Sequence, residues 1–141
     1  MKRIILSGGG TGGHIYPAVA VAEALKRRFG EQVELLFVGA EGRMEMEKIP
    51  ALGYRIVGLP IAGLQRRMDW HNLAVPFKVL RSLRQARRTI RTFGADVVVG
   101  FGGYASAPVL WAAQRMGVPT VIQEQNSYAG VTNKILARGA R

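Results

Sequence analysis

The sequence contains no cysteine, few histidines and aspartates, and no long apolar run. The absence of cysteine excludes disulfides, thiolate zinc sites and cysteine nucleophiles, and it fits a reducing compartment. The histidines and aspartates are far apart, with no Asp-x-Asp and no His pair at ligand spacing, so we expect no catalytic metal. These four residues are His14, His71, Asp69 and Asp96.

Apolar segments are too short to span a membrane. No run approaches the ~18 apolar residues that cross a bilayer, and the start of the chain, MKRIILSGGG, lacks the apolar stretch of a signal peptide. With 141 residues, 48% of them hydrophobic, the chain has the size and composition of one globular domain. We therefore expect one cytosolic domain, which can still lie on a membrane surface.

Positive charge is concentrated in one segment. The net charge is +11, and residues 66–92 carry eight lysines and arginines against one aspartate. A basic segment on an otherwise nearly balanced domain indicates a docking face for an anionic partner. Interleaved surface aromatics and a recognition-helix pattern are both missing, so we do not expect that partner to be nucleic acid.

Short β-branched runs alternate with longer helical patterns. Strands are predicted at residues 3–6, 33–38, 54–57, 96–99 and 120–122. Helices are predicted at residues 15–29, 41–49, 73–93, 105–116 and near 130–138, the second of them ending before Pro50. This alternation predicts an α/β, Rossmann-like domain, an open parallel sheet with helices on both faces.

Two glycine-rich loops follow the first and the fourth predicted strands, at residues 8–14 and 100–106. Pro17 and Pro108 are expected in the first turns of the helices behind them. In the common doubly wound strand order these two strands are neighbours, so the loops would face each other at the carboxyl edge of the sheet. Helix starts offer N–H groups and about half a positive charge. The two glycine loops together predict a diphosphate site. The alternative is that the glycines only allow the first helix to pack on the sheet.

The first loop matches neither of two familiar phosphate motifs in full. Residues 8–13 have the G-x-G-x-x-G spacing, but the acidic residue expected at the end of strand two is poorly matched, because Glu34 is inside the strand and Glu41 is late. The P-loop pattern fails because His14 and Ile15 stand where Lys and Ser or Thr are required. A dinucleotide-binding oxidoreductase is kept as the alternative function.

Polar side chains occur at two points of the same edge. His14 begins the first helix and is a candidate for proton transfer, or a loop histidine that bonds only to the backbone. After strand five, residues 123–126 supply a carboxylate and three amides, which suit sugar hydroxyls or a polar helix cap. Without metal ligands, the loops favour stabilisation by backbone amides together with a proton acceptor.

Three runs together resemble the amino-terminal domain of the MurG family: GGGTGGHIYP, GFGGYASAP and EQNSYAGVTNKIL, at residues 8–17, 100–108 and 124–136. The resemblance implies transfer of N-acetylglucosamine from UDP-GlcNAc to lipid I, which forms lipid II in bacterial peptidoglycan synthesis. It implies inversion, no metal and no cofactor, and a peripheral location at the cytoplasmic face of the inner membrane. Residues 1–141 would be the acceptor-binding half of a glycosyltransferase-B fold, inactive without a second, donor-binding domain.

The resemblance also implies roles for individual residues. Contacts to the UDP-GlcNAc donor would come from Thr11, Gly12, Gly13 and Asn126. The acceptor pyrophosphate and muramyl sugar would lie beside His14, Gly102, Gly103 and Tyr104. The catalytic proton acceptor is left open between His14 and Glu124. Gln123 stands where the family pattern has histidine, so no proton transfer is assigned to that position.

The basic segment then acquires a role at an anionic membrane surface, where the lipid-linked acceptor would be met. Apolar residues that include Leu80, Leu83 and Ile90 cover one face of the predicted helix. On a helical wheel four arginines share an adjoining arc of about 80°: Arg81, Arg84, Arg88 and Arg91. Arginines beside exposed apolar side chains suit anionic lipid headgroups. The alternative is a solvated face on an ordinary helix. The expected membrane-binding residues are Trp70, Leu73, Phe77, Arg81, Arg84 and Arg88.

Overall fold

The computed structural model describes residues 1–8, 12–60, 74–102, 105–123 and 137–140, with the backbone alone at 12–14 and 74–76. Within these ranges strands and helices alternate as predicted. The predicted last helix near residue 130 lies almost wholly outside them. The elements are β1 (Lys2–Ser7), α1 (Gly12–Phe29), β2 (Val33–Ala40), α2 (Glu45–Ala51), β3 (Ile56–Leu59), α3 (Ala74–Phe93), β4 (Val97–Gly100), α4 (Ser106–Arg115) and β5 (Thr120–Ile122).

The five strands form one parallel sheet in the order β3-β2-β1-β4-β5. β1 is central: Ser7 stands opposite Val38 of β2 on one side and opposite Gly100 of β4 on the other. The chain winds outward to β3 and then returns past β1 to β4, so the winding direction reverses between β1 and β4. This confirms the open parallel sheet and the predicted adjacency of the first and fourth strands.

Helices cover both faces of the sheet because β1 and β2 carry apolar side chains on alternate sides. On one face α1 and α2 pack against a core that includes Leu6, Ile15, Phe37 and Ile49. On the other face α3 and α4 pack against a core that includes Ile5, Leu36, Ile90 and Leu110. Burial of each such side chain contributes roughly 1.5–3 kcal/mol.

Two predicted proline positions are wrong. α1 begins at Gly12, so Pro17 lies in its second turn rather than its first. α2 does not stop before Pro50 but continues through it to Ala51. The φ of proline is helical, and the carbonyl of Pro50 is used at the helix end, where it accepts the N–H of Gly53 at 2.9 Å. Pro108 does lie in the first turn of α4, as predicted.

The end of α2 also explains why β3 starts two residues later than predicted. Gly53 has a φ of +89°, and the N–H of Tyr54 donates to the carbonyl of Ile49 at 3.2 Å. This is the Schellman arrangement that closes a helix, and glycine is favoured at its left-handed position. Because the N–H of Tyr54 is used there, the strand begins only at Ile56.

Candidate functional site

The two glycine loops leave the sheet from adjacent points. The N–H of Phe101, the first residue after β4, donates to the carbonyl of Ser7, the last residue of β1, at 2.8 Å. The hydroxyl of Ser7 donates to the carbonyl of Val38 at 3.1 Å. Ser7 and Phe101 are fully buried, so both loop origins are fixed by the core. The carboxyl ends of β2, β1 and β4 are therefore tied together at this edge.

The segment after β5 begins at the same place. The N–H of Gln123 donates to the carbonyl of Gly100 at 2.9 Å, so the polar run that follows β5 starts beside the second glycine loop. Gly102 in that loop has a φ of +98°, a conformation in which glycine is favoured. Three loops thus start side by side at the carboxyl edge, where open α/β sheets bind ligands.

Close packing brings the start of α4 to this edge. A Cβ on Gly100 would overlap the Cδ1 atom of Leu110, which is fully buried on α4. The absence of a side chain at Gly100 therefore allows α4 to approach the end of β4. The amino end of α4 lies next to the second glycine loop as a result.

The helix starts at this edge differ in charge. α1 and α4 have no acidic residue in the first turn, and Ala105 before α4 makes no side-chain capping bond. α2 instead has Glu45 and Glu47 in its first turn. The partial positive charge of a helix start attracts anions, so the starts of α1 and α4 suit phosphate groups, and that of α2 does not. They are the helices behind the glycine loops.

Glu45 has a structural position that the sequence analysis missed. Its side chain is 1% exposed, and Oε2 accepts the N–H of Ala40 at 3.0 Å. A Cβ on Gly39 would lie 2.5 Å from Cγ of Glu45. The available signal in the sequence was Gly39, which stands six residues before Glu45. The carboxylate holds the turn between β2 and α2 rather than facing a ligand.

Glu34 cannot be the acidic residue that a dinucleotide site requires, because it is not at the carboxyl edge of the sheet. Glu34 lies near the amino end of β2, opposite Arg3, and its carboxylate contacts Arg3 at 3.2 Å and Arg55 at 3.6 Å. Glu41 follows β2, and its N–H donates to the carbonyl of Leu59 at 2.9 Å.

Among the residues that the structure describes, no group of three or more His, Asp or Glu side chains could hold a metal ion.

The predicted site residues fall into two sets. Gly12, Gly13 and His14 form the first turn of α1, and Gly102 follows β4, so these elements meet at the carboxyl edge. The side chain of His14 is outside the described part. The remaining predicted donor, acceptor and catalytic residues also lie outside the described residues, as do two of the membrane-binding ones: Thr11, Gly103, Tyr104, Glu124, Asn126, Trp70 and Leu73.

Helix α3 carries the predicted basic and apolar surface. Phe77 is 67% exposed, and Val79 and Leu80 are also exposed. Arginines follow on the next turns of the helix, and Arg81, Arg84 and Arg88 are exposed. Within the described ranges, no helix has the length and apolar character of a membrane span.

Ile90 does not contribute to the exposed apolar face predicted beside the arginines of α3. Ile90 is 2% exposed and belongs to the core with Ala86 and Phe93, so it does not extend the exposed face. Leu83 is only partly exposed. The apolar part of the surface is therefore confined, in the described residues, to the first turns of α3.

Known proteins resemble the chain over nearly its whole length. Residues 4–141 match the model of the glycosyltransferase family 28 N-terminal domain. A protein of Porphyromonas gingivalis is 62% identical over 98% of this chain and 36% of its own length. One of Bacteroides fragilis is 60% identical over 99% of this chain and 36% of its own. Both are named UDP-N-acetylglucosamine--N-acetylmuramyl-(pentapeptide) pyrophosphoryl-undecaprenol N-acetylglucosamine transferase.

A solved structure agrees with these relatives. The crystal structure of Acinetobacter baumannii MurG has a TM-score of 0.87 and 34% identity, and the match covers 100% of this chain and 40% of that one. The chain therefore spans little more than a third of the length of the curated relatives, 36% for the two above.

Proposed function

The chain belongs to glycosyltransferase family 28, whose amino-terminal domain it matches, and on that premise we propose that the protein transfers N-acetylglucosamine from UDP-GlcNAc to lipid I. The product is lipid II, for peptidoglycan synthesis. The observation that supports this most strongly is the high identity, along almost all of this chain, to relatives named for that transfer. We assign acceptor binding to the domain described above and most of donor binding to a second domain of the same protein.

We propose that the acceptor diphosphate binds between the starts of α1 and α4. These helices follow adjacent strands and have no carboxylate in their first turns. Backbone N–H groups and helix dipoles can stabilise a diphosphate without a metal ion. Gly102, Gly103, Tyr104 and His14 would line this acceptor site. Thr11, Gly12, Gly13 and Asn126 would reach the donor.

The reaction is a displacement at the anomeric carbon of N-acetylglucosamine. The 4-hydroxyl oxygen of the muramyl sugar forms the new bond, the bond from the anomeric carbon to the UDP oxygen breaks, and the configuration inverts. The hydroxyl proton passes to a side chain, for which His14 and Glu124 are the candidates. The negative charge that develops on UDP is stabilised by backbone amides and helix starts.

The acceptor is lipid-linked, so the enzyme has to meet it at a membrane. We assign this contact to the exposed side chains of α3, with Phe77 entering the lipid and Arg81, Arg84 and Arg88 binding anionic headgroups. Trp70 and Leu73 would extend the same surface. This gives a peripheral enzyme at the cytoplasmic face of the inner membrane.

The test is transfer of radiolabelled sugar from UDP-GlcNAc to a lipid I analogue by the complete protein, with and without a metal chelator. We expect labelled lipid in both reactions and a β-linked product. Labelled free sugar without labelled lipid would show that lipid I is not the acceptor. Loss of transfer in the presence of chelator would show that the reaction needs a metal ion. His14→Gln and Glu124→Gln, compared by kcat, separate the two candidate proton acceptors.

A further inference from the structure

A groove lies at the edge of the sheet opposite the glycine loops. One wall is formed by α3, and the other by the amino-terminal ends of β1 and β2 and the residue before β3. Its volume is about 690 Å³, which is within the range of small-molecule sites. Arg3 and Ser7 are four residues apart on β1, so the groove is about 13 Å along the strand from the carboxyl edge.

The groove has a strong excess of positive charge. Five arginines and one carboxylate line it, with Arg3, Arg55 and Glu34 on the strand side and Arg81, Arg84 and Arg88 on α3. Glu34 contacts Arg3 at 3.2 Å and Arg55 at 3.6 Å. Within the described part of the chain, no carboxylate lies within salt-bridge distance of the three arginines on α3. Their charge is available to an anion.

The floor and the polar wall fit an organic anion better than a simple ion. Leu36, Val57 and Phe93 form an apolar floor, and Thr89 and Thr92 add hydroxyl donors on the α3 side. Gln85 donates to the carbonyl of Gly58 at 2.9 Å and so holds α3 against β3. Arg3 is held as well, because its backbone N–H donates to Asp96 at 2.8 Å. Both walls are anchored.

We propose that this groove binds an organic phosphate with at least two negative charges. Guanidinium groups bind phosphate oxygens in pairs, and carboxylates of the described residues leave an excess of four positive charges in the groove. The phosphate can belong to a soluble metabolite or to a lipid headgroup. The second source is possible because Phe77 and Leu80 are exposed a turn or less before Arg81. The proposal shares three arginines with the proposed membrane surface but does not depend on sugar transfer.

The first experiment titrates the protein with inorganic pyrophosphate and follows the backbone amide resonances of Gln85, Thr89 and Thr92. These residues report on the groove and not on the glycine loops. We expect Arg55→Ala to weaken binding about fivefold, since it removes one charge near a phosphate. Glu34→Gln should strengthen binding by a similar factor, because it frees Arg3 and Arg55. Arg27→Ala, an exposed arginine on α1, is the matched control and should have no effect.

The second experiment identifies the source of the phosphate. Sedimentation with phosphatidylcholine vesicles, with and without phosphatidic acid, is measured for the parent protein and Arg55→Ala. Weaker binding of Arg55→Ala to the acidic vesicles supports a lipid headgroup, and unchanged vesicle binding with weaker pyrophosphate binding supports a soluble phosphate. If Arg55→Ala behaves like Arg27→Ala in both experiments, the proposal is wrong. Failure of sugar transfer with these effects intact would refute only the proposed function.

Discussion

The side chain of Glu45 lies directly over the Cα of Gly39, where a Cβ would be 2.5 Å from its Cγ. The two residues belong to different elements, the end of β2 and the start of α2. Glu45 reaches over Gly39 to accept the N–H of Ala40, so the missing side chain of Gly39 is what lets the carboxylate close the turn. The turn connects the carboxyl edge to the helix on the opposite face from α4.

Gly39→Ala is expected to lower the free energy of unfolding by about 1–3 kcal/mol, because the added methyl group overlaps a buried side chain. Urea denaturation measures the change. Glu45→Ala is also destabilising, since the buried N–H of Ala40 loses its acceptor. The double variant should lose clearly less than the sum of the two single changes. Simple additivity would show that the two side chains do not compete for this space.

Tyr54 is expected to make stability depend on pH at alkaline values. Burial, and then its hydrogen bond and proximity to the Glu23 carboxylate, raise its pKa from 10.0 to about 12. The phenol donates to Glu23 at 2.8 Å. The folded state therefore holds the proton more tightly than the unfolded state. This contribution is complete below pH 10 and is lost as the pH rises towards 12.

The measurement compares unfolding of the parent with that of Tyr54→Phe between pH 10 and 12. The difference in unfolding free energy between the two proteins should shrink by about 2 kcal/mol over this range. Tyr16→Phe, which changes an exposed tyrosine, should track the parent. A constant difference between the parent and Tyr54→Phe would contradict the raised pKa of Tyr54.

The sheet could be predicted from the sequence because its information is local. β-Branched runs separated by helical patterns predict parallel strands, and the bounds of β5, Thr120–Ile122, are as predicted. The adjacency of β1 and β4 follows from the usual winding order. The glycine loops could be assigned to one edge for the same reason, whereas the roles of Tyr104 and Glu124 stay predictions.

Other features could not be predicted because they depend on how elements pack in three dimensions. Periodicity alone does not show which side of α3 faces the sheet, so it grouped Ile90 with Leu80, although Ile90 is buried and Leu80 is exposed. The groove between Arg55 and Arg84 joins residues 29 positions apart in the chain, and only the placement of α3 over β3 brings them together. Glu45 lies in the middle of the predicted helix at residues 41–49, and nothing in the sequence shows that its side chain packs over Gly39.

Gly100→Ala is expected to impair the proposed acceptor site through α4. The new Cβ overlaps Leu110, so α4 must move away from the end of β4. We expect a loss of about 1–3 kcal/mol in unfolding free energy and, because the helix start moves away from the acceptor phosphates, a higher KM for the lipid I analogue. Gly117→Ala is the matched control: it strains a φ of +77° at the other end of α4, where a Cβ meets nothing within 4 Å. Gly117→Ala should lower the free energy of unfolding and leave the KM for the lipid I analogue unchanged.

Phe77→Ser is expected to weaken binding to anionic vesicles more than tenfold, since burial of such a side chain in lipid contributes roughly 1.5–3 kcal/mol. Its stability should not change, because the ring is 67% exposed. Arg84→Glu with Arg88→Glu should also weaken binding, but this loss should diminish at high salt, which screens charges and not apolar contacts. Leu52→Ser, an exposed leucine after α2, is the control and should sediment like the parent. If Phe77→Ser also sediments like the parent at every salt concentration, α3 is a solvated helix and the proposed membrane contact is wrong.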